Sequence, residues 1–460
     1  MRDRMSKALR LTRADYAEIR IEERQSTNIV FRGEELETAS AVIDKGGIAR
    51  CLSRENGWGI STFNDLDDLP ARIEEAYACA SVARAAEPID LAVVPAVEEI
   101  IPAHMLRDFR GISMGEKKTL AEAYNLIALH ASPKIVDTQT SYSDSLTRVT
   151  FASSDGTYIQ EDRPSVAVGC VVTARDGDNV QMAHEGRAGP FGYEFAQNRE
   201  ELARTASQRA LELLSARSVV GGRYPVVVDP RLGGVFIHEA FGHLSESDFI
   251  YENPKAREMM ILGRRFGRDI LNVYDDGSAP GLRGTHRYDD EGTPCRRNDL
   301  IKAGILVGRL HSRETAARMG ERPTGNARAI NYRHPPIVRM TNTAVAAGTT
   351  SFQGLIGDIK LGIYACDAYG GNTAMESFSF SSGYAHMIRD GRIAEMVKDV
   401  ILAGNLFTTL QSIEAIGDDF QWILFMGGCG KSGQFPLPVS MGAPHIRIEN
   451  VVIGGTAAAE

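Results

Sequence analysis

The chain has 460 residues, 43% of them hydrophobic and 24% charged, with a formal net charge of −9 and a pI near 5.7. A chain of this length can bury a large core and form two domains, and its acidic balance argues against a nucleic-acid surface as its main business. It contains no run of about 18 apolar residues and no long apolar stretch after Met1–Lys7, so neither a membrane span nor a secretory signal is expected.

In chain order, the first candidate elements are strands at Ala17–Glu23, Asn28–Arg32 and Ile48–Leu52. Three amphipathic helices are expected near Leu69–Arg84, Gly115–His130 and Arg199–Leu214. In the last, Leu202, Ala206, Ala210 and Leu213 recur at three- and four-residue intervals and form one buried stripe. Asp155-Gly156 and Asp176-Gly177 lie beside β-rich runs at Arg148–Ala152 and Val166–Thr173, the arrangement of hairpin turns. Residues 1–220 thus predict an α+β domain, an antiparallel sheet with helices on a face, and Val219–Gly222 is the expected junction.

Residues 221–460 open with a strand, Tyr224–Val228. Asp229 can cap the helix that follows, and Pro230 suits its first turn. After about two turns that helix reaches His238-Glu239-Ala240-Phe241-Gly242-His243. Two imidazoles bracketing a carboxylate suit a site that holds a metal and deprotonates a water beside it. The usual device, H-E-x-x-H, spaces its histidines four apart so that they share a helix face. Here they are five apart, which on an ideal helix turns the rings roughly 140° away from each other. Both can reach one ion only if the helix widens into a π-bulge or ends before the second histidine, and Gly242 is the residue best able to supply irregular backbone.

A third ligand has to come from one of the cysteines, at 51, 79, 170, 295, 366 and 429, or from an acidic side chain. Cys429 stands out, because Gly427, Gly428, Gly430 and Gly433 surround it in a tight loop where Lys431 could favour the thiolate. A small buried thiol packed in a turn is the alternative. The other five read as packing residues, and their dispersal suits reduced thiols in a cytoplasmic protein. Glu246 and Asp248 follow the motif closely enough to orient a ligand histidine, or they belong to a solvated loop. His311 could polarise a carbonyl or be structural, and Asn342 could bind a peptide backbone or end a turn. Asp289–Glu291 suggests a hairpin tip more than a second metal site. Beyond the motif helix, short strands, many glycines and hairpin-like pieces at Ala303–Gly308 and Arg389–Arg392 predict a β-rich, barrel- or sandwich-like domain.

Several segments together resemble the TldD/PmbA metalloprotease family, and its TldD-type member in particular. They are Val235–His243, Asp289–Pro294, Pro323–Arg328, Arg339–Thr343, Gly362–Ala365, Cys429–Lys431 with Gly433-Gln434, and Gly454–Ala457. The first roughly 200 residues match only loosely. The resemblance implies one Zn²⁺ per chain on His238, His243 and Cys429, with Glu239 as general base. It further implies hydrolysis of short or unfolded peptides and a PmbA/TldE-type partner subunit, in a heterodimer or else a homodimer. A maturation enzyme for one dedicated precursor and a non-catalytic zinc-binding subunit are the alternatives. The chain departs from the family pattern at Ser432–Pro438, at Asp367–Asn372 and at His445 beside Pro444, changes that bear on substrate choice more than on metal binding.

Overall fold

A computed structural model describes residues 1–374 and 376–455, apart from the side chains of Asn372 and Ala374; Thr456 and Ala457 of the C-terminal motif lie outside the described residues. The N-terminal part is a seven-stranded sheet running Gly57–Phe63, Glu35–Ser53, Tyr16–Arg32, Ile135–Ser153, Tyr158–Asp176, with Asn179–Gly189 and Glu98–Ile101 both paired to the last of these. Its pairings are antiparallel except for Glu98–Ile101, which runs parallel to Tyr158–Asp176. The two expected strands within residues 17–32 are one, because the polar stretch Arg24–Asn28 is paired on both sides, Gln25 lying between Ile43 and Leu146. The three expected helices form at Leu69–Val82, Met114–Leu129 and Glu200–Ser215. Asp155-Gly156 and Asp176-Gly177 turn the chain between neighbouring strands, with positive φ at both glycines.

Strand periodicity decides what each face of this sheet meets. Ile19, Ile21, Ala49 and Cys51 point to one side and pack under Leu69, Ile73 and Ala76 of the first helix. Glu18, Arg20, Glu22 and Arg50 point to the other and are buried all the same. What covers them is the C-terminal part of the chain, as ion pairs from Arg20 to Asp290 and from Arg50 to Glu291 show.

In the C-terminal part, Leu361–Ala374, Gly222–Val228, Ile446–Gly454, Ile401–Asn405 and Ser377–Arg389 pair in that order, and the last pairs back to the first. Five strands therefore close into a barrel, the α+β architecture with a β-rich second half. A second sheet of six strands includes Val273–Asp276, Asn342–Val345 and Ser440–Ala443. The helix Pro230–Ile237 lies between barrel and sheet, with Leu232, Phe236 and Ile237 in the main core. It lies close on Ser440–Ala443: a Cβ at Gly234 would sit 3.0 Å from Met441. No helix among the described residues is long and apolar enough to cross a membrane.

Candidate metal centre

The motif helix begins as its sequence requires. Asp229 Oδ1 accepts the Leu232 N–H at 2.7 Å, and Pro230 occupies the first turn, where its missing N–H is no loss. The α-helix runs only to Ile237, and His238–Gly242 then form a π-helical turn followed by a 3₁₀ turn at His243–Ser245. A π turn carries more residues per revolution, so the five-residue spacing swings both rings to one side. The ring centroids are 5.3 Å apart at 78°. Gly242 plays a different part from the expected one. Its backbone is ordinary right-handed helix, φ −57° and ψ −49°, but a Cβ there would lie 2.0 Å from Met340 Sδ. It supplies room, not unusual torsions.

Cys429 arrives from the far end of the chain, on the small hairpin Cys429–Lys431 and Gln434–Leu437. Its Sγ lies 3.4 Å from His243 Nε2, and one ligand atom from each of His238, His243 and Cys429 lies within 4.8 Å of the others. The carbonyl of Cys429 accepts from Arg339 Nη2 at 2.8 Å, a brace from the buried Arg339 that sequence reasoning did not single out. Burial would raise the thiol's pKa, but the imidazoles of His238 and His243 outweigh it and bring it down to about 4. Lys431, the expected helper, is engaged elsewhere, with its ammonium 3.0 Å from Glu246 Oε2 and 2.6 Å from Asp248 Oδ1.

The two acids after the motif divide their work. Glu246 Oε2 is 3.1 Å from His243 Nδ1, and Oε1 accepts the Met340 N–H at 3.2 Å, so it orients one histidine. Although buried, it is held down to about 2 by Lys431 and His243, whose charges outweigh the burial. Asp248 touches neither histidine; it accepts from Lys431 and from the Val338 N–H. Glu239 Oε2 is 3.8 Å from His243 Nε2 and its side chain is about one-third exposed, 32%. It lines a cleft of about 480 Å³ with His243, Phe249, Gly371, Thr373 and Lys431. Gly371 and Thr373 carry no sequence mark of that role, since only the barrel strand's path brings them there.

Zinc fits these residues. His238 is fully buried and neither ring nitrogen has a hydrogen-bond partner, an arrangement that costs about 1–3 kcal/mol unless something binds one of them. Two imidazoles and a thiolate are a zinc donor set, and three protein ligands beside an open cleft suit a reactive site over a closed structural one.

Other candidates lie elsewhere. Asn342 is a correction: its side-chain oxygen accepts from Gly284 and Ser440 N–H groups and its NH₂ donates to Asp276 O and Thr285 Oγ1. Completely buried, it has no donor left for a peptide. His311 is structural, its ring between Thr315 Oγ1 and Glu321 Oε2 at 3.2 Å each. His445 is held between Asp419 and Tyr364, and Asp367 between Arg209 and Arg231, so two of the sequence departures serve packing. Asp289–Glu291 does form a hairpin tip, bridged at Tyr288 and Pro294, but the tip is buried against the N-terminal sheet.

Comparison with known proteins identifies the family and the fold. The PmbA/TldA metallopeptidase signatures match in three consecutive segments: domain 1 at residues 17–86, the central domain at 107–214 and the C-terminal domain at 221–455. The chain is 46% identical to a protein named metalloprotease from Synechocystis sp. over 97% of its own length and 96% of the relative's. It is 29% identical to a zinc metalloprotease TldD homolog of Saccharolobus solfataricus, over 96% and 97%. The fold matches the crystal structure of TldE from Thermococcus kodakarensis with a TM-score of 0.78 at 19% identity, covering 98% of this chain and 100% of that one.

Proposed function

The chain belongs to the TldD/PmbA metallopeptidase family, and on that premise we propose that it is a zinc peptidase in which His238, His243 and Cys429 hold the ion and Glu239 is the general base. The observation that carries this reading is the convergence of two imidazoles and a thiolate, one imidazole lacking any other partner, at a cleft that Glu239 lines. Zinc bound there supplies a Lewis acid and lowers the pKa of water to near neutrality.

The protein's own groups do the rest. Glu239 accepts a proton from the attacking water as the C–O bond forms, then returns it to the departing amine as the C–N bond breaks, so no proton is left over. Its partial exposure leaves it open to substrate, while Glu246 holds His243 by the ring nitrogen remote from Cys429. The cleft suits an extended peptide, because Gly371 and Thr373 bring to its wall the part of a barrel strand that runs on past Ala365, where its pairing with Gly222–Val228 ends, and such a one-sided strand edge binds main chain with little regard to sequence. Short or unfolded peptides are therefore the substrate class. Six free cysteines suit a reducing compartment such as the cytoplasm.

The division at residues 220 and 221 has a functional sense in this reading: the C-terminal part carries the ion and the N-terminal part encloses substrate or meets a partner. That partner is a PmbA/TldE-type chain, a proposal supported by the family and by the shared fold of TldE. The test is Glu239→Gln. It should keep bound zinc at the wild-type level while hydrolysis of unstructured peptides falls about 10²–10⁴-fold. Cleavage at the wild-type rate would remove Glu239 from its role, and zinc near zero in the wild-type chain would favour a non-catalytic subunit.

A further inference from the structure

A second cavity, of about 550 Å³, lies behind the Cys429 hairpin, between it and the N-terminal sheet. Gly430 and Lys431 face the metal cleft, whereas Pro436 and Leu437 of the same hairpin line this cavity. Its opposite wall is polar, with Asn28, Ser143 and Ser145 from the sheet.

The charges around it do not balance. Each acid in the lining already has a cation: Asp144 lies 2.6 Å from Lys117, Asp290 pairs with Arg163 at 2.9 Å and Arg20 at 3.3 Å, and Glu22 shares Arg20. Three arginines of the lining have no carboxylate within ion-pair distance among the described residues: Arg24, which is exposed to solvent, and Arg283 and Arg328, which are not. Arg328 is 3% exposed and donates only to the carbonyls of Met340 and Pro438. Arg283 donates to the carbonyls of Phe425 and Gly427, and its Nε is buried without an acceptor. Carbonyl dipoles soften a buried cation but do not neutralise it, and an unpaired buried charge costs several kcal/mol. Both guanidinium groups are pushed down to about 10, Arg283 by burial and then by Arg328, Arg328 by burial and then by Arg339.

We propose that this cavity binds an oxyanion, a carboxylate or a phosphate, on Arg283 and Arg328. A planar guanidinium presents five donors in a fork that matches such groups, and both hydrogen bonds of Arg283 leave from Nη1, so its Nη2 is still to be used. The wall of serine hydroxyls opposite would orient the rest of the molecule. The site is separate from the metal centre, and its occupant need not be the peptidase substrate.

The experiment is calorimetric titration of the full-length chain with inorganic phosphate, and separately with a small carboxylic acid, acetate, and its neutral amide, acetamide, neither of which has a peptide main chain for the metal cleft. Saturable binding of phosphate, or of the acid but not the amide, is expected; which probe binds identifies the source of the oxyanion. Arg283→Gln should weaken that binding about tenfold or more, and His243→Ala should leave it unchanged. Should Arg283→Gln fail to fold by circular dichroism, Arg283→Lys keeps the charge without the fork and should weaken binding by a smaller factor. The proposal is overturned if neither probe binds saturably, if binding is indifferent to both Arg283 variants, or if it disappears in His243→Ala, which would put the anion at the metal.

Discussion

Among single residues, Glu246 is the one whose contacts predict the most. It is the fully buried acceptor for His243, and it also takes the Met340 N–H and the Lys431 ammonium. Glu246→Gln keeps the shape but offers His243 a weaker acceptor. Metal affinity should fall about 10–100-fold, the usual effect of removing such a partner, measured by competition with a chelator. Asp248→Asn should change it far less, because Asp248 reaches Lys431 and not a histidine. Equal effects from the two would mean that Lys431, not the carboxylate on the ring, sets the affinity. Residue types and spacing made His238, Glu239, His243 and Cys429 legible as candidates. They could not assign Lys431, whose ammonium has two acids within reach only after the hairpin folds beneath the motif helix.

At the scale of elements, the π turn and the buried hairpin tip matter most. The five-residue interval demanded an irregular helix, and the turn at His238–Gly242 answers that demand. Gly242→Ala would push a methyl group into Met340 beneath this turn. Overpacking of this kind costs about 1–3 kcal/mol, so thermal stability should fall, and zinc affinity with it as the turn shifts; a variant as stable as wild type would show that Met340 simply moves aside. The hairpin tip joins the two halves through Asp290, which accepts from Arg163 and Ala329 and pairs with Arg20. Asp290→Asn should destabilise by about 3 kcal/mol, the lower end for a broken buried pair, because Arg163 and Arg20 keep Glu161 and Glu22. Burial would raise the Asp290 pKa, but Arg163 and Arg20 hold it well below the usual carboxylate range. Its contribution is therefore complete above about pH 4, the ordinary carboxylate value, and is lost as pH falls below that. Urea unfolding near neutrality and again at about pH 3 should show the gap between variant and wild type narrowing in acid.

For the molecule as a whole, the testable matter is pairing. The TldE structure shares this fold along nearly the entire chain, and the proposed pairing is of two like-folded chains, for which a twofold-type arrangement is the commonest geometry. Mixing this protein with a PmbA/TldE-type chain should yield a heterodimer by light scattering and raise peptide turnover at fixed zinc content. A homodimer that is fully active and does not exchange subunits would replace that expectation.

Much of this was available before any coordinates. Alternation in the early strands, the helical stripe at Leu202–Leu213, the Asp229-Pro230 start and the histidine interval are all local facts, governed by a few neighbouring residues and by backbone geometry. The sequence by itself therefore determined the α+β class, the main elements and the residues able to bind metal. Only the tertiary structure decided which of those elements meet: that Gly242 is small because Met340 lies against it, that Asn342 is spent on main chain, that the acidic tip is inside, and that Arg283 and Arg328 line one cavity without a carboxylate partner. The reason is distance along the chain. Cys429 meets His243 across 186 positions, and such contacts follow from how whole sheets stack, a choice made by the summed burial of many side chains.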